Sequence, residues 1–545
     1  MIHKLFFSLA MMFASSAWAI PSIESILPED TDAILKIDLD AMKDHPENPL
    51  SEIFNDETIL TFYSFLLQEG GADFRGMNDF YRNASAFIER DAAVVLEKLY
   101  FQEGQVEPDA LIILGYNGDE SAVLNALQEA GSKHEQTEGY RTYSMYSISG
   151  DDINLRFIFT ENYIFISSNE SSLHHAVDDL LDGVSGSFEQ SEAYSYLQHK
   201  WERNDFYAYV DLKDLGDGVN ALIRGYLEPG EGESVNMMMP LPQDIINALK
   251  MNELDSLYWN CSLETDQVLV DYDAFYNGSD GVGVLLDSLK GTLEYPSFVP
   301  DDASYVTFVN YDLSRVLESV ESMIQRSSPL GYALYQQYLM QYNEQMGINI
   351  RDVLLNGFGD DYGKVYLGLI GSEFPLYSSL QYFRVNDAEK VQAIIDTYLN
   401  SFDTDGAFVS MDYNGTVIYD LSEEGIGLHT QFAIIDNWFV VGQGDADLLQ
   451  NLVDMEQGSA GSSAWDIPEL REVMDSHPHA VGYAYSDFDS LIPPYLKMLY
   501  DISDVGVDSP EMEDLLEKAS YPYYMRGYVE PGDGVVSAHY LIQKK

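Results

Sequence analysis

Cysteine is nearly missing from this chain: Cys261 stands alone among 545 residues. A single thiol forms no internal disulfide, and it excludes zinc ribbons, CxxCH haem attachment and CxxC redox pairs, which all need two. Positive charge is scarce too. Lys and Arg number 28 against 91 Asp and Glu, a formal balance of −63. A field of that sign repels nucleic acid and disfavours anionic membrane surfaces. No stretch reaches the roughly 20 apolar residues that a membrane-spanning helix needs. The acids are spread along the chain rather than gathered in a tail. That distribution reads as a solvated surface suited to a salty exterior, where a short screening length blunts self-repulsion.

What is present is a large apolar content. Hydrophobic residues make up 46%, with 39 Tyr and 26 Phe, which excludes an acidic disordered chain. The opening "MIHKLFFSLAMMFASSAWAIPSIES" has Lys4, an apolar run from Leu5 to Phe13, and Ala17-Trp18-Ala19 as a small-x-small site. This pattern predicts a signal peptide cleaved after Ala19 and export to the periplasm or the exterior. Cys261 lies in the strand-like "LYWNCSLET", where a buried small side chain is expected.

The chain says much of what it says twice. "TENYIFISSNESSLHHAVDDLLDGVSGS" (Thr160–Ser187) aligns without a gap with "IDNWFVVGQGDADLLQNLVDMEQGSAGS" (Ile435–Ser462). Each copy reads as a strand followed by an amphipathic helix. Leu173, Val177, Leu180 and Leu181 share a face in the first; Leu448, Leu452 and Met455 share one in the second. Upstream, "LPEDTDAILKIDLD" matches "VPDDASYVTFVNYD". "DALIILGYNGDESAVLNALQEA" answers "SSLQYFRVNDAEKVQAIIDTYL", and "YAYVDLKDL" answers "YAYSDFDSL". Strand–helix–hairpin units of this kind predict an α+β fold of two tandem, duplicated, mainly antiparallel sheet-plus-helix domains with a pseudo-two-fold relation. The expected division is a signal peptide over 1–19, a first repeat over 20–289, a linker over 290–302 and a second repeat over 303–545.

The pattern consists of a Pro-acid turn and strand, the segment "MGINIRDVLLNGFGDDYGKVYLGLIG" (Met346–Gly371) of the second half, and a "NYIFIS" hairpin with its helix and the spacer "SGSFEQSEAYSYL" (Ser185–Leu197) of the first. Together they resemble a family of uncharacterised bacterial envelope proteins of the domain-of-unknown-function type. The resemblance covers most of the chain and is clearest in the second half. It implies an exported α+β architecture and brings no established activity.

Motifs that would carry chemistry are few. His174-His175 lie about 100° apart on a helix, unsuited to one metal. "GQGDAD" (Gly442–Asp447) lacks the Lys of a phosphate loop and reads as a strand-to-helix turn capped by Asp445. No nucleophile elbow or other catalytic constellation stands out, so no catalytic residue and no cofactor is assigned. "SFDTDGAFVSMD" (Ser401–Asp412) imitates part of a calcium loop through Asp403, Asp405 and Asp412, without the bidentate Glu; calcium is the one metal it suggests. "YALYQQYLMQYNEQMGI" sets Tyr332, Tyr335 and Tyr342 at three-four spacing, and "IPPYLKMLYDI" adds Tyr495 and Tyr500. Core packing is the plain reading; a groove for an apolar or sugar ligand is the sharper one.

These observations predict an exported, non-enzymatic binding or envelope-associated interaction protein, with an envelope protein or a hydrophobic small molecule as partner. Two alternatives stand beside it. One is a carrier holding an acyl or lipid-like molecule between the repeats; the other is a hydrolase that uses paired acidic residues.

Overall fold

A computed structural model describes residues 21–55, 88–102, 105–116, 118–129, 134–149, 154–201, 203–213, 250, 253–278, 281–370, 376–402, 408–422, 428–459, 461–502 and 518–545. These residues form helices and extensive antiparallel sheet, an α+β fold. None of the described helices is long and apolar enough to cross a membrane. The described chain divides into two compact units, one over 21–213 and 254–274, the other over 250, 253, 275–502 and 518–545, the strand that ends the first running two residues past its boundary.

The first unit holds β1 (Ala33–Asp38), β2 (Ile88–Gln102), β3 (Gln105–Tyr116), β4 (His134–Gln136), β5 (Met145–Ser149), β6 (Asn154–Phe159), β7 (Tyr163–Ser167), β8 (Phe206–Asp211), β9 (Leu254–Leu263) and β10 (Gln267–Tyr276). Pairing runs β4-β5-β6-β7-β3-β2-β1-β8-β9-β10 across the sheet. Helices α1 (Ile23–Ile26), α2 (Leu39–Asp44), α3 (Pro49–Asn55), α4 (Glu120–Glu129), α5 (Glu170–Asp182) and α6 (Glu192–Lys200) accompany it. Asp38 starts α2 by accepting the amides of Asp40 and Ala41, and Asn169 starts α5 by accepting that of Ser171. Each satisfies donors that a helix N-terminus leaves unpaired.

The second unit holds β11 (Tyr305–Asn310), β12 (Phe358–Ile370), β13 (Leu376–Val385), β14 (Phe408–Tyr413), β15 (Thr416–Ser422), β16 (His429–Ile435), β17 (Trp438–Gly444), β18 (Gly482–Asp487), β19 (Tyr523–Pro531) and β20 (Val535–Lys544). They pair in the order β14-β15-β16-β17-β13-β12-β11-β18-β19-β20. Counted from each unit's own first strand, the two orders are the same. The helices here are α7 (Gly283–Asp287), α8 (Leu313–Ser327), α9 (Pro329–Met346), α10 (Ile350–Asn356), α11 (Ala388–Phe402), α12 (Leu448–Glu456), α13 (Pro468–Ser476) and α14 (Phe488–Ile502). The segment over 290–302 gives Leu293, Phe298 and Val299 to this unit's core.

Strand alternation divides each sheet into two faces. In the second unit, Val306, Phe308, Val365, Leu380, Tyr382 and Val440 meet α12 through Leu449, Leu452 and Val453, and α13 through Leu470. On the opposite face, Val353 of α10 and Val391 and Ile395 of α11 pack with Val385, Phe358 and Phe439. The first unit's equivalent of this second face packs Ile112 and Leu114 against Val123 of α4.

Lys36 and Phe308 hold one position in the two strand orders. Lys36 lies opposite Ala93 and Tyr207; Phe308 lies opposite Gly363 and Tyr483. Phe308 sits in an aromatic cluster, with ring centroids 5.6 Å from Tyr382, 6.2 Å from Trp438 and 5.1 Å from Trp465. Gly363 makes the room, because a Cβ there would stand 2.2 Å from the Phe308 ring.

Lys36 instead carries a charge into the interior. Its Nζ donates to Glu24 Oε1 at 2.9 Å and lies 3.3 Å from Asp91 Oδ2. The Tyr207 hydroxyl donates to the same Glu24 oxygen at 2.8 Å. Glu24 is 1% exposed, and its Oε2 has no hydrogen-bond partner. Burial by itself would raise the Glu24 pKa, but the charge and hydrogen bond of Lys36 prevail and hold it below the usual value. Burial pulls Lys36 down, yet Glu24 and Asp91 carry it well above its usual value. Desolvation and attraction nearly cancel in such a pair, so its net worth is small while the loss of one partner is costly.

Two outcomes follow for stability. Gly363→Ala should lower urea stability by about 1–3 kcal/mol through overpacking, and Phe308→Leu in the same chain should recover part of it. Lys36→Met should cost about 3–5 kcal/mol by stranding Glu24, with most regained in Lys36→Met/Glu24→Met. Glu24, lowered on folding, stabilises above 4.5 and loses that contribution as pH falls through its folded value. Lys36, raised on folding, stabilises below 10.5 and loses it as pH rises through its folded value. The stability difference between wild type and the double variant should therefore be level between those two values and shift on either side. A difference independent of pH would remove the pair's ionic role.

Candidate functional site

The residues singled out from sequence are not gathered in one place by the contacts of the described chain. Asp403 and Asp405 lie outside the described residues. Asp412 lies near the end of β14, beside a tight turn at Asn414 (φ 51°) and Gly415 (φ 88°), and its Oδ1 accepts the Gly415 amide at 3.1 Å. Left-handed Asn-Gly is the usual chemistry of a two-residue hairpin, so the Asp412 carboxylate has a turn to hold. Among the described residues no group of three His, Cys, Asp or Glu is placed to hold a metal ion. At the other Gly-Asp turn, the residue starting α12 is Asp447 rather than Asp445, and its side chain makes no capping bond; Asp445 offers its backbone carbonyl to Leu448. The strand end brings Asp447 rather than Asp445 to the helix start, an offset that composition does not reveal.

The tyrosine stripe of α9 is not a packed core. Tyr332 and Tyr342 are half-buried and Tyr335 is exposed, while Tyr338, off the stripe, is 71% exposed. Tyr332 and Tyr335 ring centroids are 6.1 Å apart. The facing helix α8 is amphipathic, yet of its residues only Ser319 is fully buried. Tyr495 is on α14 and exposed, near Tyr377, whose hydroxyl donates to the Leu491 carbonyl at 2.6 Å. Tyr500 is on the same helix, its side chain outside the described residues.

Two acids, Asp38 and Asp91, lie opposite each other across β1 and β2. Burial, then the charge of Asp91, raises the Asp38 pKa. Asp38 Oδ1 is already the cap of α2, accepting at 2.9 and 3.1 Å, and Asp91 is paired with Lys36. Both carboxylates thus have structural partners, and neither is presented to a cleft by any described contact.

The arrangement least explained by packing is on the second unit's sheet, on the face opposite Phe308. Register aligns Thr307, Lys364, Gln381 and Ala484 in one row across β18, β11, β12 and β13. The neighbouring row carries Ser486, Tyr305, Tyr366 and Ser379, and the row on the other side carries Val309, Tyr362 and Phe383. These are central strands, where both faces are ordinarily covered. Here Tyr305, Thr307, Tyr362, Lys364, Tyr366 and Gln381 are only half-buried.

The rings form two groups, one on each side of the Lys364 row. Tyr305 and Tyr366 are 5.5 Å apart, Tyr366 and Tyr377 5.6 Å, and Tyr362 and Phe383 5.1 Å. Lys364 Nζ stands 4.8 Å from the Tyr366 ring centroid, within cation–π range. No carboxylate forms an ion pair with Lys364 among the described residues. Its pKa is raised, first by the hydrogen bond with Tyr366 and then against slight burial by the charges of Tyr366, Tyr362 and Tyr305. Ser486 is 2% exposed, and its hydroxyl has no hydrogen-bond partner among the described residues. A cation without its own carboxylate in so acidic a protein, set among aromatic faces, suits an anionic group with an apolar body.

Sequence reasoning passed over this row. Its signal was the strand "DDYGKVYLGL", where Tyr362, Lys364 and Tyr366 alternate with Gly363 and Val365. Such alternation marks one half-open face, but β-strand neighbours are set by pairing, and Tyr305 and Gln381 are distant in sequence.

No family model matches this chain, and no curated protein matches it. Among solved structures, crystal forms IV, III and I of a protein titled TP0453 are similar at 8% identity, with TM-scores of 0.26, 0.27 and 0.25. The alignments cover 46, 48 and 48% of this chain and 79, 83 and 82% of the other. Likeness at that level supports no assignment of fold or function.

Proposed function

We propose that this is an exported, non-enzymatic binding protein of the cell envelope, built by internal duplication, with a small-molecule site on the Lys364 face of the second unit. The leader-like start and the acidic composition support export. The shared strand order supports duplication. The observation that carries the binding role is the half-buried face of central strands β11, β12 and β13, with Lys364 lacking a carboxylate partner among the described residues. A protein built only for packing would cover that face with apolar side chains, as Ile112, Val94 and Val123 do at the equivalent place in the first unit.

Native mass spectrometry of the mature protein from its own host's envelope tests this reading. The expected result is a retained adduct of small-molecule mass, lost in a Thr307→Trp variant that fills the row beside Lys364. Bare wild-type protein, or an adduct equally retained by Thr307→Trp, would overturn it. N-terminal sequencing of the same material should begin at Ile20.

A further inference from the structure

The face has a chemistry specific enough to name its ligand class, an inference that rests on the binding role just proposed. We propose that it takes a long-chain carboxylate, one molecule per chain, with the carboxylate on Lys364 Nζ and the hydrocarbon along Tyr305, Tyr362 and Tyr366.

Charge selects the head group. Lys364 offers one cation, set over the Tyr366 ring and not neutralised by any described carboxylate. A charge-assisted hydrogen bond to an anion is the strongest contact it can make. The remaining protein is strongly acidic, at −63 overall, so each added negative charge on a ligand meets more repulsion. A monoanion is therefore favoured over phosphate esters, polyphosphates and nucleic acid. A cationic ligand is disfavoured by Lys364 itself.

The surroundings select the body. Rings at 5.1–5.6 Å spacing give flat apolar surface on each side of the Lys364 row. The hydroxyls of Thr307 and Ser486 and the amide of Gln381 flank the cation without adding charge. Ser486 matters because its hydroxyl is buried and, among the described residues, unpartnered on this face, opposite Tyr305. An unpaired buried donor costs free energy, which an added acceptor recovers.

The first unit explains the stoichiometry. The positions equivalent to Thr307, Lys364, Gln381 and Ala484 are Leu35, Val94, Ile112 and Ala208. That row has no cation and no hydroxyl. Its charge, Lys36, is on the opposite face and already satisfied by Glu24 and Asp91.

Calorimetric titration of delipidated full chain with dodecanoate, with dodecanol as the neutral control, tests the inference. Dodecanoate should bind at one per chain and more tightly than dodecanol. Lys364→Gln should weaken dodecanoate roughly 10- to 100-fold and leave dodecanol unchanged, while Lys364→Arg should retain most of the affinity. Lys364 is half-exposed, so both variants should fold, as circular dichroism would confirm. Equal binding of dodecanoate and dodecanol, an unaffected Lys364→Gln, or two equal sites would each overturn the carboxylate assignment. If neither probe binds while the native protein retains a different small molecule that Thr307→Trp displaces, the ligand class is wrong and the binding role stands. If nothing small is retained at all, both fail.

Discussion

Each unit depends on one constraint: a strand at the centre of a sheet has two faces, and every residue of it belongs to one or the other. β1 and β11 meet that constraint with six residues each, flanked by β2 and β8 in one unit and by β12 and β18 in the other. Whatever chemistry a side chain brings, its neighbours across the strands are already decided by register. A single polar residue at such a place must therefore find partners within its own row, from a covering helix, or from outside the protein.

The two units resolve this in opposite ways. In the first, the charge faces the interior at Lys36 and is held by Glu24 of α1, Asp91 of β2 and the Tyr207 hydroxyl. Its other face is closed by apolar side chains, Ile112, Leu114 and Val123 packing with Tyr116, Tyr146, Phe157 and Phe159. In the second, the interior position is Phe308, fitted over Gly363 and surrounded by Tyr382, Trp438 and Trp465. The charge is one residue away in register, at Lys364, on the face that stays half-open. Because side chains alternate, moving the cation from one strand position to the next moves it from a closed core to accessible surface.

Much of the frame was legible in the chain. The aligned segments Thr160–Ser187 and Ile435–Ser462 contain β7 with α5 and β17 with α12, as the strand-and-helix periodicities predict. Asp436, between β16 and β17, adopts φ 50°, which a hairpin at Asp436-Asn437 needs. The tyrosines of α9 were visible as a stripe, but their degree of exposure was not, because a stripe states a direction and not what covers it. The side-chain capping role expected of Asp445 is taken up by neither Asp445 nor Asp447, which stands at the N-cap without a capping bond.

Local pattern, then, determined the α+β class, the strand and helix order, the hairpin turns and the scarcity of catalytic and metal motifs. All of these are written in spacings of two to four residues. Tertiary structure alone decided that Glu24 would meet Lys36, that Gly363 would make room for Phe308, and that Tyr305, Lys364 and Gln381 would share one face. The reason is physical: these contacts join residues of different elements, and the placement of α1 beside β1 or the register between strands brings them to within a side chain's reach.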